Sequence, residues 1–195
     1  MSITGCPDRY VVVDLETTGL APASDRILEI GAVKVIDGEV TETFCTFANP
    51  QMEIPKYIQE LTGITQEMVA GEKTPDQAVL EFLDFCGDLD LMGHNLMFDY
   101  SFLKHQAVNQ KKVFEKNGMD TLKIARSLLP DLESRSLTSL CAYFKIERAH
   151  AHRAFHDAMA THILYGHLQK IAGEEQRGLF LPKPLLYKEE VSAKK

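Results

Sequence analysis

The sequence of 195 residues predicts an α/β domain with a mixed β-sheet. Three apolar, β-branched segments up to residue 47 are typical of strands. The dipeptide Asp37-Gly38 joins the second and third of these segments and is a strong hairpin signal, so the two should pair antiparallel. From there on, helical periodicity alternates with a short apolar segment, which favours α/β layering over an all-β fold.

The boundaries of the individual elements are predicted from local sequence patterns and from residues that are typical of helix ends and turns. Thr74 and Pro75 are typical of a helix N-cap and first turn, and Gly87 is typical of a helix end. The predicted strands are Tyr10–Val13, Ile27–Ile36, Val40–Phe47, Leu91–His94 and a weaker segment near Val113–Met119. The predicted helices are Pro55–Leu61, Pro75–Cys86, Asp99–Val108, Thr121–Leu129, Leu137–Phe144 and Arg153–Ile171.

The pattern of alternating elements fades after residue 173. Pro182 and Pro184 exclude a continuous helix in the remaining segment. We therefore expect residues 1–173 to form one domain and residues 174–195 to form a C-terminal tail that is extended or disordered.

The chain is acidic, with 21 Lys and Arg against 28 Asp and Glu and a net charge of −7. This charge argues against binding of duplex nucleic acid through bulk positive charge. The four cysteines form no CxxC pair, so a zinc ribbon or a thioredoxin-type site is excluded, and reduced thiols in the cytoplasm are expected. No apolar run approaches the roughly 18 residues of a membrane helix, and the first residues lack the apolar stretch of a signal peptide.

Two acids follow directly on the first apolar strand. Asp14 and Glu16 are two positions apart, so in a continued strand they would point to the same face. Neighbouring carboxylates next to a core repel each other and lose hydration unless a cation neutralises them. The alternative is that the strand ends at Val13 and that both acids are solvated.

Two further acids occupy helices. Asp99 opens a helix after a short strand, where an ordinary first-turn Asp is also expected. Asp157 lies on the mainly apolar stripe of the last helix, where a carboxylate requires a partner, and a metal ion is a natural one. His152 precedes Asp157 by five residues, so the two can share a site only if His152 lies on the loop that enters the helix.

A zinc site is the competing interpretation of the histidines. Five of the seven histidines fall between His150 and His167, and His152 and His156 have i,i+4 spacing. However, the segment lacks the Glu of HExxH, and no nearby Cys completes a closed site. We therefore disfavour zinc and expect His150, His156, His162 and His167 to be surface residues or supports of another site.

Taken together, three segments resemble the DEDDh family of 3′–5′ exonucleases, the DnaQ-like group that includes bacterial proofreading subunits. The segments are DLETTGL (Asp14–Leu20), GHNLMFD (Gly93–Asp99) and HRAFHD (His152–Asp157). Each alone is a weak signal, but all three occur in the family's order and spacing over residues 8–171. The resemblance implies a ribonuclease H-like fold, with a mixed five-stranded sheet flanked by helices.

The resemblance also implies a chemistry. Asp14, Glu16, Asp99 and Asp157 would bind two divalent cations, Mg²⁺ or Mn²⁺, which suit hard oxygen ligands. His152 would act as the general base for the attacking water, because an imidazole can accept and release a proton near neutral pH. All five would be catalytic, and the product would be a nucleoside 5′-monophosphate.

Binding of the terminal nucleotide would fall to the first two motifs. The backbone near Thr17 and Gly19 would contact the 3′ hydroxyl, and Leu20 and Phe98 would pack on bases, a sequence-tolerant contact. Two alternatives stay open: Phe98 as a core aromatic, and Thr17-Thr18-Gly19 as a simple turn. The full predicted set is Thr17, Thr18, Gly19, Leu20, His94, Asn95 and Phe98.

The leading functional hypothesis is a metal-dependent 3′–5′ exonuclease that acts on single-stranded or frayed DNA ends, with a proofreading role in replication or repair. The alternatives are the same chemistry on RNA and a non-catalytic nucleic-acid-binding module of the same fold. A polymerase partner is one expectation of the proofreading hypothesis. The net charge excludes only binding by bulk charge, because metal ions and stacking can capture a strand end.

A last motif lies in the tail. Gln176–Phe180 (QRGLF) resembles the Q-x-x-L-F peptide with which bacterial replication proteins bind the sliding clamp. Such a peptide places apolar anchors in a pocket of its partner. The alternative is that Leu179 and Phe180 pack the tail back onto the domain.

Overall fold

The computed structural model describes residues 5–187 of the chain. Its strands are β1 (Tyr10–Thr17), β2 (Ile27–Ile36), β3 (Glu39–Phe47), β4 (Leu91–Gly93), β5 (Asn117–Asp120) and β6 (Lys183–Pro184). Its α-helices are α1 (Lys56–Thr62), α2 (Gln66–Val69), α3 (Pro75–Cys86), α4 (Leu96–Asn109), α5 (Thr121–Leu128), α6 (Leu137–Phe144) and α7 (Ala154–Ile171). A 3₁₀ helix spans Glu174–Phe180.

The strands form one mixed sheet in the order β3-β2-β1-β4-β5-β6. The pairs β1–β2 and β2–β3 are antiparallel, whereas β1–β4 and β4–β5 are parallel, so the predicted α/β class is confirmed. The sheet has six strands where the resemblance implied five, because the short segment Lys183–Pro184 adds antiparallel to β5. A proline is tolerated there since β6 lies at the edge of the sheet.

The length of the first strand determines whether the two acids after its apolar residues lie inside the sheet. β1 continues to Thr17 instead of ending at Val13, so Asp14 and Glu16 lie within the sheet. The predicted strand end at Val13 is therefore wrong, and the alternative of two solvated acids, which depends on that end, does not hold. Asp14 pairs with Gly31 of β2, and Glu16 pairs with Glu29.

Other boundaries differ from the predicted ones for local reasons. β5 begins at Asn117, because Val113 lies in a connection and is exposed. α4 begins at Leu96, three residues before the predicted start, after Asn95 takes a left-handed conformation with φ 70°. The four-residue helix α2 was not predicted, since it is too short to show periodicity; the Thr65 side chain caps it.

The sheet has a hydrophobic core on each face, as strand alternation requires. Val12 and Val33 face one side and pack with α5, α6 and α7, whose buried side chains include Leu164. Val11 and Val13 face the other side and pack with α3 and α4. The helices therefore flank the sheet on both faces. Among residues 5–187, no helix is both long and apolar enough to cross a membrane.

Residues 174–187 of the predicted tail pack against the domain, and residues 188–195 lie outside the described residues. Phe180 is fully buried, and its ring centroid lies 5.7 Å from that of Tyr165. The Gln176 side chain accepts a hydrogen bond from the Gly173 N–H. Phe180 would have to leave the core to anchor in a clamp, so the structure favours the alternative in which Leu179 and Phe180 pack onto the domain.

Candidate active site

Three acids form what we call the strand side of the site: Asp14, Glu16 and Asp99. Asp14 and Glu16 project from β1, which has hydrogen-bonded neighbours on both edges. Asp99 lies in the first turn of α4 and is only 3% exposed, and its Oδ1 accepts a hydrogen bond of 2.9 Å from the Leu15 N–H. The Leu15 N–H, which lies between Asp14 and Glu16 in the chain, thus holds the Asp99 carboxylate in position.

The segment Arg148–Arg153, which enters α7, forms what we call the loop side. His152 is half-buried and has φ 58°, a left-handed conformation, and α7 begins two residues later at Ala154. The side-chain donor atoms of Glu16, His152 and Asp157 all lie within 4.8 Å of one another. His152 therefore lies on the entry loop, the only position from which it can share a site with Asp157.

Asp157 is buried, and its Oδ1 atom makes no hydrogen bond within the described part of the chain. The nearby cation is the Arg148 guanidinium, whose Nε lies 3.2 Å from this oxygen. A buried carboxylate oxygen without a hydrogen-bond donor is costly, so this atom is available to a cation.

Burial and mutual repulsion shift the carboxyl groups in the same direction. Burial, with the neighbouring charges of Asp157 and Glu29, raises the pKa of Glu16 to about 8. Burial and the charges of Asp99 and Asp157 raise the pKa of Asp14 well above its ordinary value. Burial likewise raises the pKa of Asp99 and of Asp157, although the Arg148 charge opposes this at Asp157.

These observations agree with a divalent-cation site. Clustered, buried carboxylates become ionised near neutral pH only when positive charge is supplied, and hard oxygen ligands suit Mg²⁺ or Mn²⁺. Glu16 and Asp157 converge with His152, and Asp157 Oδ1 accepts no hydrogen bond from the described residues although it is paired in charge with Arg148. The residues present therefore fit divalent metal ions, for which the carboxylates would be the ligands.

The same geometry does not favour zinc bound by the histidine pair. The cluster that contains His152 does not include His156, and no metal-like group within residues 5–187 joins the two. The His156 ring instead packs against His150, with ring centroids 5.2 Å apart.

Glu29 is a residue of the site that the sequence analysis missed. It is fully buried in β2, and its carboxylate accepts hydrogen bonds from Arg153 Nε (3.1 Å), Arg153 Nη2 (3.0 Å) and the Ala154 N–H (3.1 Å). These bonds fasten the loop side and the start of α7 to the sheet. A lone acid inside the apolar segment Ile27–Ile36 was the signal that could have revealed it.

Gly31 permits the close approach of α7 to β2. A Cβ atom at this position would overlap the backbone of Ala154 and Phe155, at the first turn of the helix. Only glycine therefore allows the helix to start so close to the strand that Asp157 reaches the acids of β1.

The first predicted nucleotide-binding segment forms a turn whose polar groups bond locally. Thr17 donates its hydroxyl hydrogen bond to the Gly19 carbonyl (2.6 Å), and the buried Thr18 hydroxyl accepts one from the Arg26 N–H (2.9 Å). A Cβ at Gly19 would overlap the Asp25 carboxylate. Leu20 differs from these residues because it is 84% exposed and open to contact.

The predicted residues of the second motif have different surroundings. The His94 ring is hydrogen-bonded to Thr121 Oγ1 at 3.0 Å and to the Arg135 carbonyl at 2.9 Å, and burial lowers its pKa. Asn95 is exposed at the start of α4. Phe98 is half-buried with its ring tilted against that of Phe102, at a centroid distance of 5.2 Å, so part of its surface is engaged by the protein.

Comparison with known proteins identifies the family. Residues 11–165 match the family model RNase_T, described as Exonuclease. The DNA polymerase III PolC-type protein of Clostridium perfringens (strain 13 / Type A) is 44% identical over 154 residues, which are 79% of this chain but 11% of that protein. The chain thus spans about a tenth of the length of this relative.

Solved structures agree on the fold. Exonuclease X in complex with 5′ overhanging duplex DNA superposes with a TM-score of 0.69 and 24% identity, over 88% of this chain and 98% of that one. The nuclease domain of 3′hExo, a DEDDh family member, bound to rAMP, gives 0.73 and 18%, over 89% and 96%. The predicted ribonuclease H-like fold is confirmed. With the family model matching residues 11–165, the chain belongs to the RNase_T exonuclease family.

Proposed function

We propose that the chain is a metal-dependent 3′–5′ exonuclease that releases nucleoside 5′-monophosphates from single-stranded or frayed DNA ends. The observation that carries this proposal is the convergence of Glu16, His152 and Asp157 within 4.8 Å, beside Asp14 and Asp99. An acid cluster joined to a loop-borne imidazole can place both a cation site and a proton acceptor at one phosphodiester.

Each residue has a role in this mechanism. Asp14, Glu16, Asp99 and Asp157 would hold two divalent ions, Mg²⁺ or Mn²⁺, which would supply Lewis-acid stabilisation of charge on the scissile phosphate and on the leaving oxygen. His152 accepts a proton from the water whose oxygen attacks phosphorus. The bond from phosphorus to the 3′ oxygen of the penultimate nucleotide breaks, and that oxygen takes a proton from solvent, which leaves a new 3′ hydroxyl and a free 5′-monophosphate.

Substrate positioning rests on the exposed side chains and the turn after β1. Leu20 packs on the terminal base, since it is exposed in the segment that follows β1. The turn at Thr17–Gly19 presents backbone groups to the 3′ hydroxyl, and Phe98 and Asn95 of the second motif supply further contacts to the nucleotide. His94 contributes by its bonds to Thr121 and Arg135, which support the second motif from within.

Similarity to PolC-type DNA polymerase III proteins favours DNA as substrate and proofreading as the role, with a polymerase in the same chain or in trans. RNA is the second candidate, because the similar 3′hExo nuclease domain was solved with rAMP. The fold accommodates both, and the choice depends on how the pocket treats the 2′-hydroxyl.

The test uses 5′-labelled and 3′-labelled single strands of DNA and RNA with Mg²⁺, Mn²⁺ or EDTA. We expect a descending ladder from the 5′ label, release of mononucleotide from the 3′ label, and no reaction in EDTA. Asp14→Ala and His152→Ala should greatly reduce the rate, whereas Asp8→Ala, an exposed acid before β1, should not. Activity that survives EDTA and Asp14→Ala would reject the mechanism.

A second arm tests proofreading. A primer with a mismatched, frayed 3′ end should be degraded faster than the fully paired primer, because the site takes an unpaired terminus. Equal rates on both primers would argue against a proofreading role, and a higher rate on RNA than on DNA would favour the ribonuclease alternative.

A further inference from the structure

Arg148 occupies an unusual position for an arginine. Its side chain is 7% exposed, its Nε lies 3.2 Å from Asp157 Oδ1, and its Nη2 donates a hydrogen bond of 3.4 Å to Thr138 Oγ1 of α6. The guanidinium thus contacts both α6 and the acid cluster. It faces Asp157 Oδ1 without a hydrogen bond of good geometry to that atom, so the attraction is mainly one of charge.

The charges of the cluster explain why a cation lies there. Asp14, Glu16, Asp99 and Asp157 are four carboxyl groups in one buried region, and the positive charge of Arg148 acts on Asp14, Glu16 and Asp157. The guanidinium is part of the chain, so it neutralises part of the cluster whenever no metal ion is bound there. A divalent ion bound to Asp157 Oδ1 would be next to this like charge.

We propose that Arg148 is a built-in counter-ion that competes with divalent cations for Asp157 and so weakens the affinity of the site for metal. This inference rests on the metal binding of the proposed function. In this proposal, metal binding displaces the guanidinium from Asp157 Oδ1. A surface groove of about 570 Å³ lies beside Arg148 and is lined by Glu147, Phe155, His156 and Met159. The Glu147 carboxylate offers a second anionic partner there.

The experiment measures Mn²⁺ affinity by calorimetry for wild type, Arg148→Gln, Arg148→Met and Arg148→Lys. The Gln and Met variants lack the charge, and we expect both to bind Mn²⁺ roughly tenfold more tightly. Arg148→Lys retains the charge and should bind with an affinity close to that of wild type. Arg9→Gln is the matched control, because it removes an arginine charge at an exposed pair with Asp37, and its affinity should be unchanged.

Thermal unfolding gives a readout that is independent of activity. In EDTA, Arg148→Gln should melt below wild type, because the carboxylates lose their counter-ion. Saturating Mn²⁺ should raise the melting temperature of the variant by more than that of wild type. If Arg148→Gln does not fold, the uncharged Arg148→Met and the charged Arg148→Lys variants still show the effect of removing the charge.

The outcomes separate this proposal from the proposed function. Unchanged or weaker Mn²⁺ binding by the charge-free variants overturns the counter-ion role, while metal binding by wild type leaves the proposed function intact. Absence of Mn²⁺ binding by wild type overturns both. A large loss of nuclease activity in Arg148→Gln at unchanged metal affinity would instead identify Arg148 as a contact of the substrate phosphate.

Discussion

The two sides of the site are held in place by different means. The strand side depends on the sheet: β1 is hydrogen-bonded on both edges, and Asp99 is bonded to the Leu15 N–H between the two strand acids. The loop side depends on a few side-chain contacts, in which Glu29 binds Arg153 and the Ala154 N–H. His152 itself has a left-handed backbone conformation on that loop.

This difference suits the roles proposed for each side, metal ligands on the strand side and a general base on the loop side. Metal ligands must be held within a fraction of an ångström, which a central strand provides. A general base must accept a proton and release it to solvent, and an imidazole on a loop can do so. We therefore expect that loss of a strand-side acid abolishes metal binding, whereas loss of His152 on the loop side slows the chemical step and leaves metal binding in place.

The largest effect should separate these two functions directly. Asp14→Asn should abolish Mn²⁺ binding at its site and lower the nuclease rate by about 10³-fold or more. His152→Gln should lower the rate by roughly 10²- to 10³-fold while Mn²⁺ binding persists. Calorimetry and single-turnover cleavage measure both, with Asp8→Asn as control. Equal loss of metal binding in the two variants would erase the distinction between the sides.

The next effect concerns the contact that fastens the loop side. Glu29→Gln retains the size of the side chain but loses the ion pair with Arg153, so we expect kcat to fall about tenfold with little change in KM. Glu29→Ala should also lower the free energy of unfolding by about 2–3 kcal/mol, because Arg153 and the Ala154 N–H lose their partner.

The matched control for this prediction is Glu42→Gln. Glu42 lies on β3 and pairs with Lys34 at 2.9 Å, but its carboxylate is largely exposed. It should leave kcat and stability nearly unchanged. A Glu29→Gln enzyme with wild-type kcat would show that the loop side needs no such fastening.

A smaller effect comes from the packing between β2 and α7. Gly31→Ala should push the start of α7 outward, lower the free energy of unfolding by about 1–3 kcal/mol and reduce kcat several-fold. Gly166 lies within α7, and a Cβ atom there would meet no atom within 4 Å. Gly166→Ala should therefore raise the free energy of unfolding by about 0.5–1 kcal/mol. Denaturant unfolding measures both. Equal stability of the two variants would contradict the close approach at Gly31.

The final prediction is a pH dependence on the strand side. The pKa of Glu16 is raised from 4.5 to about 8, so the folded state holds a proton that the unfolded state releases. In EDTA, the stability contributed by protonated Glu16 is fully present below about pH 4.5 and is lost as the pH rises through about 8. Glu16→Gln should flatten this fall in melting temperature, whereas Glu60→Gln, on the surface, should not.

Sequence patterns predicted some elements of the fold and some residues of the site, but not others. Period-two apolar segments and the Asp37-Gly38 hairpin predicted β2 and the pairing of β2 with β3, because these depend on local chemistry. The end of β1 was not predictable from Val11–Val13, since acids are rare in strands and only the surrounding fold makes them tolerable. Likewise, the short α2 carries too few residues for a periodic signal.

Among the site residues, the three motifs named the acids and His152, but not the residues that support them. Glu29 and Gly31 lie on β2, more than a hundred positions from Arg153, so no local pattern links them to the start of α7. The role of His94 was also hidden, because its two ring partners, Thr121 and Arg135, come from distant parts of the chain.

By itself, the sequence determined the α/β class, the motif residues and an acid on the apolar stripe of α7, because periodicity and residue chemistry are local properties. Only the tertiary structure decided which groups meet. It placed His152 beside Glu16 and Asp157, inserted Arg148 among the carboxylates and buried Phe180 against Tyr165. The physical reason is that charge and burial act through space, and the packing of distant segments sets both.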